Sequence, residues 1–233
     1  MSRSFNAFEI DFFSGSAAQN MADDICLQRF SGQHACVIAR TYGWDFGSKT
    51  FGRYQSFREV AKSREAGTLI RRPTGGGLVK HDLDFLTWSL CVPRPALLEE
   101  RVETIFSKCQ SSIRRSLNNL FGFSIRFAKT PEKRPGDCFS QPVNNDLLTM
   151  DGQKISGIAM HRSQSAILLQ GSLQKPGIEI SQVARRSFLH GLCKDITGIS
   201  VEKTMILTTI IDEEERAAAK TKCDSDAWLR ARP

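Results

Sequence analysis

The sequence lacks any long apolar run. Two of its longest, Ala166–Leu169 and Met205–Leu207, fall far below the roughly 20 residues that a membrane-spanning helix needs. After the first seven residues the chain carries the acidic residues Glu9 and Asp11, where a secretory signal would have an apolar segment. These absences predict a cytoplasmic protein with no membrane partner.

Paired cysteine motifs are missing as well. The seven cysteines are an odd number and include no CxxC pair, so we expect neither a disulfide framework nor a zinc site, and we predict no bound metal. The chain also has no glycine loop followed by Lys-Ser or Lys-Thr at Walker spacing, and no GxGxxG pattern. A P-loop and a dinucleotide fold are therefore excluded. Internal repeats and low-complexity segments are absent too.

The composition is that of an ordinary globular protein. The chain has 233 residues, of which 40% are hydrophobic and 24% charged, and we predict one domain spanning 1–233 and a monomer. A net charge of +7 favours an acidic partner, either nucleic acid or an acidic carrier protein. Because the basic residues are scattered and few aromatics lie among them, we do not expect nucleic acid.

The hydrophobic pattern predicts an α+β fold with a mostly antiparallel sheet packed against helices. In Leu86–Val92, alternate residues are apolar, which is typical of a strand with one buried face. Residues 146–150, 154–160 and 165–173 predict an antiparallel meander that turns at Asp151-Gly152. Helices are predicted over five segments: 17–30, with Ser16 as cap, 57–66, 97–121, 181–197 and 212–220.

A glycine-rich stretch stands at the centre of the chain. It reads Arg71-Arg72-Pro73-Thr74-Gly75-Gly76-Gly77 and is followed by His81. Consecutive glycines allow a close approach to the backbone, and the arginine forks suit a phosphate or carboxylate at the mouth of the loop. The pattern indicates a ligand loop, although a glycine-rich hairpin with a solvated arginine pair would look the same.

These residues, together with Lys154-Ile155-Ser156-Gly157-Ile158-Ala159, resemble the signature of the lipoate-protein ligase and octanoyltransferase family, which is related in fold to biotin-protein ligase. The similarity covers nearly the whole chain. It includes Asn20–Asp23, Tyr42–Trp44, Phe51–Gln55, Leu169–Leu173 and Glu213–Trp228.

The resemblance implies an α+β catalytic domain in which an octanoyl or lipoyl chain lies beside the glycine loop. The acyl group passes to a lysine of a lipoyl domain or of the glycine-cleavage H protein. Cys138-Phe139 followed by Pro142 resembles the transferase branch, which forms a cysteine thioester with acyl groups from acyl carrier protein or an acylated lipoyl domain and needs no cofactor. No accessory domain is expected after Trp228. The triple glycine that ends at Gly77 is commoner in ligases, which use ATP and Mg²⁺.

Residue roles follow from this resemblance. We predict Cys138 as the nucleophile and Lys154 as the cation that favours its thiolate and stabilises the oxyanion. By residue type alone, Cys138 would be an inert buried residue and Lys154 a solvated one. The alternative to an enzyme is a protein of another class, a carrier-binding module without catalytic activity. The residues predicted to bind the acyl substrate are Arg71, Arg72, Thr74, Gly75, Gly76, Gly77, His81, Gly157 and Ala159.

Overall fold

The protein is built on a mixed six-stranded sheet. Its structure, a computed structural model, describes residues 5–62, 67–81, 84–97, 100–128, 146–175 and 178–231. The strands lie in the order β11-β1-β2-β6-β10-β9. Strand β1 pairs in parallel with β2 and β11, and the other pairings in this sheet are antiparallel. The bounds are β1 Ala7–Gly15, β2 Val37–Trp44, β6 Asp84–Pro93, β9 Ser156–Arg162, β10 Ala166–Gln174 and β11 Lys203–Met205.

Helices cover both faces of the sheet. The bounds are α1 Ala17–His34, α2 Phe57–Val60, α3 Val102–Phe121, α4 Gln182–Thr197, α5 Glu213–Asp224 and α6 Asp226–Leu229. Helices α3 and α4 pack on one face through a large apolar core that includes Trp88 and Phe188. On the other face, Leu27 of α1 packs with Ile38 and Leu168 of the sheet. The predicted α+β class is therefore confirmed.

Helix boundaries follow local capping chemistry. Helix α1 begins after Ser16, whose hydroxyl accepts a hydrogen bond from the Gln19 amide at 3.2 Å. It continues four residues past the predicted end. In this last part of the helix the Ser31 hydroxyl donates to the Cys36 carbonyl at 2.7 Å, so this buried polar group is satisfied within the protein. Helix α3 begins at Val102, five residues later than predicted, after a 3-10 turn over Arg94–Leu97.

Strand β6 corrects one expectation. Its alternating pattern predicted one buried face, and Leu86, Trp88 and Leu90 do enter the core below α3 and α4. The polar face is buried too, since Thr87 and Ser89 are at most 4% exposed. The reason is that α1 lies over this face. The Ser89 hydroxyl donates to Asp24 of α1, and the Thr87 hydroxyl accepts from the Trp44 indole of β2.

Two small sheets lie beside the main one. Strands β3 (Lys49–Phe51), β4 (Leu69–Arg71) and β5 (Val79–Lys80) form the first, and β7 (Ile125–Phe127) pairs with β8 (Leu147–Thr149) in the second. The predicted meander is therefore interrupted. Strand β8 pairs with β7 and meets the following segment through a single bridge between Leu148 and Lys154. Among the residues that the structure describes, no helix is both long and apolar enough to cross a bilayer.

Candidate active site

The glycine loop connects β4 to β5 and lies against the residue that follows β3. Gly76 adopts a φ of +90°, a conformation that L side chains rarely take. Gly52 lies directly beneath: a Cβ atom there would be 1.9 Å from the Gly76 carbonyl oxygen. The loop therefore needs glycine at both positions, at one for its conformation and at the other for the close approach of two backbones.

Arg72 holds the loop from inside. Its guanidinium donates at 2.9 Å to both the carbonyl and the hydroxyl of Thr50, and it donates to the carbonyls of Gly75 and Gly77 at 2.9 and 2.8 Å. The side chain is buried. Arg72 thus fixes the shape of the loop, and its predicted contact with an acyl substrate stays a prediction.

Arg71 faces the C-terminal helix. It is buried and donates to the carbonyls of Trp228 and Leu229 at 3.0 and 2.8 Å, while the Trp228 indole donates back to the Arg71 carbonyl at 2.9 Å. Burial, together with the nearby Arg53 guanidinium, lowers the pKa of Arg71. Arg71 therefore joins α6 to the glycine loop in the structure, and the predicted substrate contact is untested.

A narrow, mainly apolar cavity of about 50 Å³ lies behind the loop. Predicted binding residues line it from two sides: Gly76 and Arg72 from the loop, and Gly157 and Ala159 from β9. Small residues on β9 leave this space open, and their predicted contact with an acyl substrate stays a prediction. The rest of the wall is formed by Met21, Tyr42, Trp44, Thr50, Val79, His81, Thr87, Ile158, Gln170, Gly171 and Ser172.

His81 closes one end of this cavity. Its ring stacks on Trp44 with centroids 3.6 Å apart, and its Nε2 atom lies 2.8 Å from the Thr50 hydroxyl. The Trp44 indole in turn donates to Thr87 at 2.8 Å. The aromatic pair is therefore held from both sides and forms a firm wall.

A buried polar network supports the cavity floor, and sequence reasoning missed most of it. Thr74 of the loop donates to Gln170 at 2.6 Å, and Gln170 donates to Asp24 at 2.6 Å. Asp24 also accepts from Arg40 and Ser89 at 2.8 and 2.6 Å. A signal existed in the sequence, since Arg40 is a lone charge within the apolar strand β2 and must have a buried partner.

Lys154 lies beside Asp146 near the bridge between β8 and the segment before β9. Its Nζ atom is 2.7 Å from Asp146 Oδ2, and the two side chains are only 4% and 8% exposed. Asp146 is the first described residue after the gap that begins at 129. Cys138, with Phe139 and Pro142, lies outside the described residues, so the predicted meeting of Cys138 and Lys154 remains a prediction.

The six other thiols are buried in the core. Burial raises the pKa of Cys26, Cys36 and Cys193 to about 11 and that of Cys109 and Cys223 to about 12, and it raises the pKa of Cys91 well above its usual value. These groups carry almost no thiolate near neutral pH, and none of them reaches the cavity.

A larger pocket of about 720 Å³ adjoins the cavity on the outside, and Gly76, Ile158 and Ala159 line both. Basic groups surround it, among them Arg53 and Arg162. The predicted loop residues Arg71 and Gly75 also line it. An extended ligand could therefore place an apolar end in the cavity and a polar end in this outer pocket.

The chain is similar in sequence and in fold to known proteins. Octanoyltransferase LipM of Staphylococcus aureus is 33% identical over an alignment of 173 positions that covers 66% of this chain and 60% of that relative. Lipoate-protein ligase A bound with ATP covers 98% of this chain and 99% of its own, with a TM-score of 0.69 and 19% identity. A structure from an analysis of a bipartite lipoate protein ligase and its E2 lipoyl domain from Thermoplasma acidophilum has a TM-score of 0.66 and 19% identity, and it covers 98% of this chain and 97% of its own. The lipoyl protein ligase A/B catalytic domain profile matches residues 16–175. The chain therefore belongs to this family.

Proposed function

We propose that the protein is an octanoyltransferase of lipoate metabolism. It takes an octanoyl or lipoyl group from a carrier thioester and passes it to a lysine of a lipoyl domain or of the glycine-cleavage H protein. The observation that carries this proposal is the narrow apolar cavity behind the glycine loop, which shares Gly76, Ile158 and Ala159 with a larger outer pocket. The similarity to LipM supports the choice of octanoyl, although the matched region spans only 60% of that relative.

The proposed chemistry has two steps. The Cys138 thiolate attacks the thioester carbonyl, the bond to the carrier sulfur breaks, and the carrier leaves as a thiol after taking up a proton. The neutral amine of the target lysine then attacks the acyl-cysteine, the amide forms, and the amine's proton returns the cysteine to its thiol form. Neither ATP nor a metal takes part in the proposed reaction, because the transfer of an acyl group from a thioester to an amine is thermodynamically favourable.

Burial of the other cysteines supports Cys138 as the nucleophile. Each of the six described thiols is buried, which leaves Cys138, outside the described residues, as the remaining candidate. Lys154 is suited to the role of cation because its buried ion pair with Asp146 fixes where the ammonium lies. A fixed ammonium needs no reorganisation when negative charge develops on the carbonyl oxygen.

Intact-mass analysis tests the proposal. After incubation with octanoyl-carrier protein, the wild type should gain one octanoyl group, which hydroxylamine removes. Cys138→Ala should gain none, whereas the matched control Cys36→Ala, which alters a buried thiol, should gain it as the wild type does. An octanoyl adduct that persists in Cys138→Ala would refute the assignment of Cys138 as the nucleophile.

An ATP-dependent lipoate ligase is the second candidate. The triple glycine and the fold shared with a ligase bound with ATP favour it. It predicts lipoyl-AMP formation from free lipoate and ATP, with activity that survives Cys138→Ala. A carrier-binding module would show neither the adduct nor the adenylate. We further propose that the protein acts as a cytoplasmic monomer.

A further inference from the structure

The outer pocket holds an arginine that has no acidic partner. Arg53 is half-buried in the pocket wall, and no carboxylate pairs with it among the residues that the structure describes. Arg71 lies close enough for the two positive charges to repel each other. A partly desolvated guanidinium next to a second cation is unfavourable alone, and a bound anion would relieve that cost.

The position of Arg53 is fixed by a neutral histidine. The Gln28 amide nitrogen donates to the carbonyls of His161 and Ala166 at 3.2 and 3.0 Å, which directs its amide oxygen to His161 Nδ1 at 2.9 Å. Nδ1 must therefore carry the proton, and Nε2 is left to accept from Arg53 Nη1 at 3.3 Å. One nitrogen of the guanidinium is held in this way, while the other donors stay available to a ligand.

We propose that Arg53 binds the phosphodiester of the donor's pantetheine arm, with His161 and Gln28 as positioning residues. This inference rests on the proposed function. An acyl carrier presents its acyl group as a thioester on a pantetheine arm, which a phosphodiester joins to the protein. With the octanoyl chain in the apolar cavity, the arm runs back through the outer pocket, where Arg53 provides a planar fork for phosphate.

The depth of Arg53 distinguishes it from its neighbour Arg162. Arg162 is exposed on the rim of the same pocket, within reach of carboxylates on a folded partner's surface. Arg53 is half-buried and contacts His161 of β9, a position better suited to a slender prosthetic arm than to a folded protein surface. The two arginines therefore contact different parts of one donor. Arg162 contacts the acidic carrier protein, and Arg53 contacts the prosthetic arm.

Calorimetry with two non-reacting probes tests the assignment. The first is the octanoyl amide of aminopantetheine, in which NH replaces the thioester sulfur, and the second is the same compound as its methyl phosphodiester. Wild type should bind the phosphodiester roughly 10- to 100-fold more tightly, as expected for hydrogen bonds to a charged group. Arg53→Gln should bind both probes equally, while Arg162→Gln keeps the preference.

His161 is tested by a conservative rescue. His161→Leu removes the acceptor and should weaken the phosphodiester preference, whereas His161→Gln restores an acceptor and should recover it. Equal binding of both probes by wild type, or a preference that survives in folded Arg53→Gln, would overturn the proposal. The probes cannot react, so their binding does not depend on acyl transfer. Absence of acyl transfer in the mass assay would therefore refute the proposed function, while calorimetry alone decides whether Arg53 binds the phosphodiester.

Discussion

Gly52→Ala offers a sharp test of how the glycine loop is positioned. The new methyl group would stand 1.9 Å from the Gly76 oxygen and 2.9 Å from the Gly75 carbonyl carbon, whereas real Cβ contacts stay above about 3.0 Å. The obstacle is backbone and cannot rotate away. The loop must therefore move outward by about 1.1 Å, which is the difference between the two contact distances.

A shift of that size should be costly for catalysis and mild for folding. Misplacement by about 1 Å can lower a rate on the order of 100-fold, so we expect kcat/KM for octanoyl transfer to fall by about that factor. The free energy of unfolding should drop by about 1 to 3 kcal/mol, as for other overpacked sites. Transfer from octanoyl-carrier protein to a lipoyl domain, together with urea unfolding, measures both.

Gly191→Ala is the matched control. Gly191 lies within α4, and a Cβ atom there meets nothing within 4 Å. This change should raise the free energy of unfolding by about 0.5–1 kcal/mol and leave kcat/KM unchanged, because alanine favours the helix. A folded Gly52→Ala enzyme with wild-type kcat/KM would refute the argument that the close backbone contact positions the loop.

Three further predictions concern stability and reactivity. Arg40→Met should lower the free energy of unfolding by about 3–5 kcal/mol, because it leaves the buried Asp24 carboxylate without its guanidinium partner, whereas Arg115→Met, at an exposed pair, should cost about 1 kcal/mol or less in urea unfolding. Burial and the Arg53 charge lower the pKa of His161 below 6.5, so the native state binds fewer protons there than the unfolded state. Its contribution to stability is present above pH 6.5 and should be lost as the pH falls below it, a slope that His161→Gln should lack in unfolding measured from pH 7.5 to 5. Native thiol titration should show one fast-reacting cysteine, Cys138, and its persistence in Cys138→Ala would contradict the burial argument.

The sequence by itself determined the family, the α+β class and the glycine loop. These are local properties: the alternation in β6, the Ser16 cap and the run of glycines each act through neighbouring residues. Such short-range chemistry is visible in a single chain, because the backbone conformation depends mainly on adjacent side chains.

The tertiary structure decided which partners the polar residues find. Arg71 and Arg72 suggested an exposed anion fork, yet their guanidinium groups donate to carbonyls of the C-terminal helix and of the loop itself. The link between Arg40 and Asp24 and the contact of His161 with Arg53 join residues far apart in sequence. Pairings of this kind depend on how helices and strands pack in three dimensions, and sequence spacing carries no record of that packing.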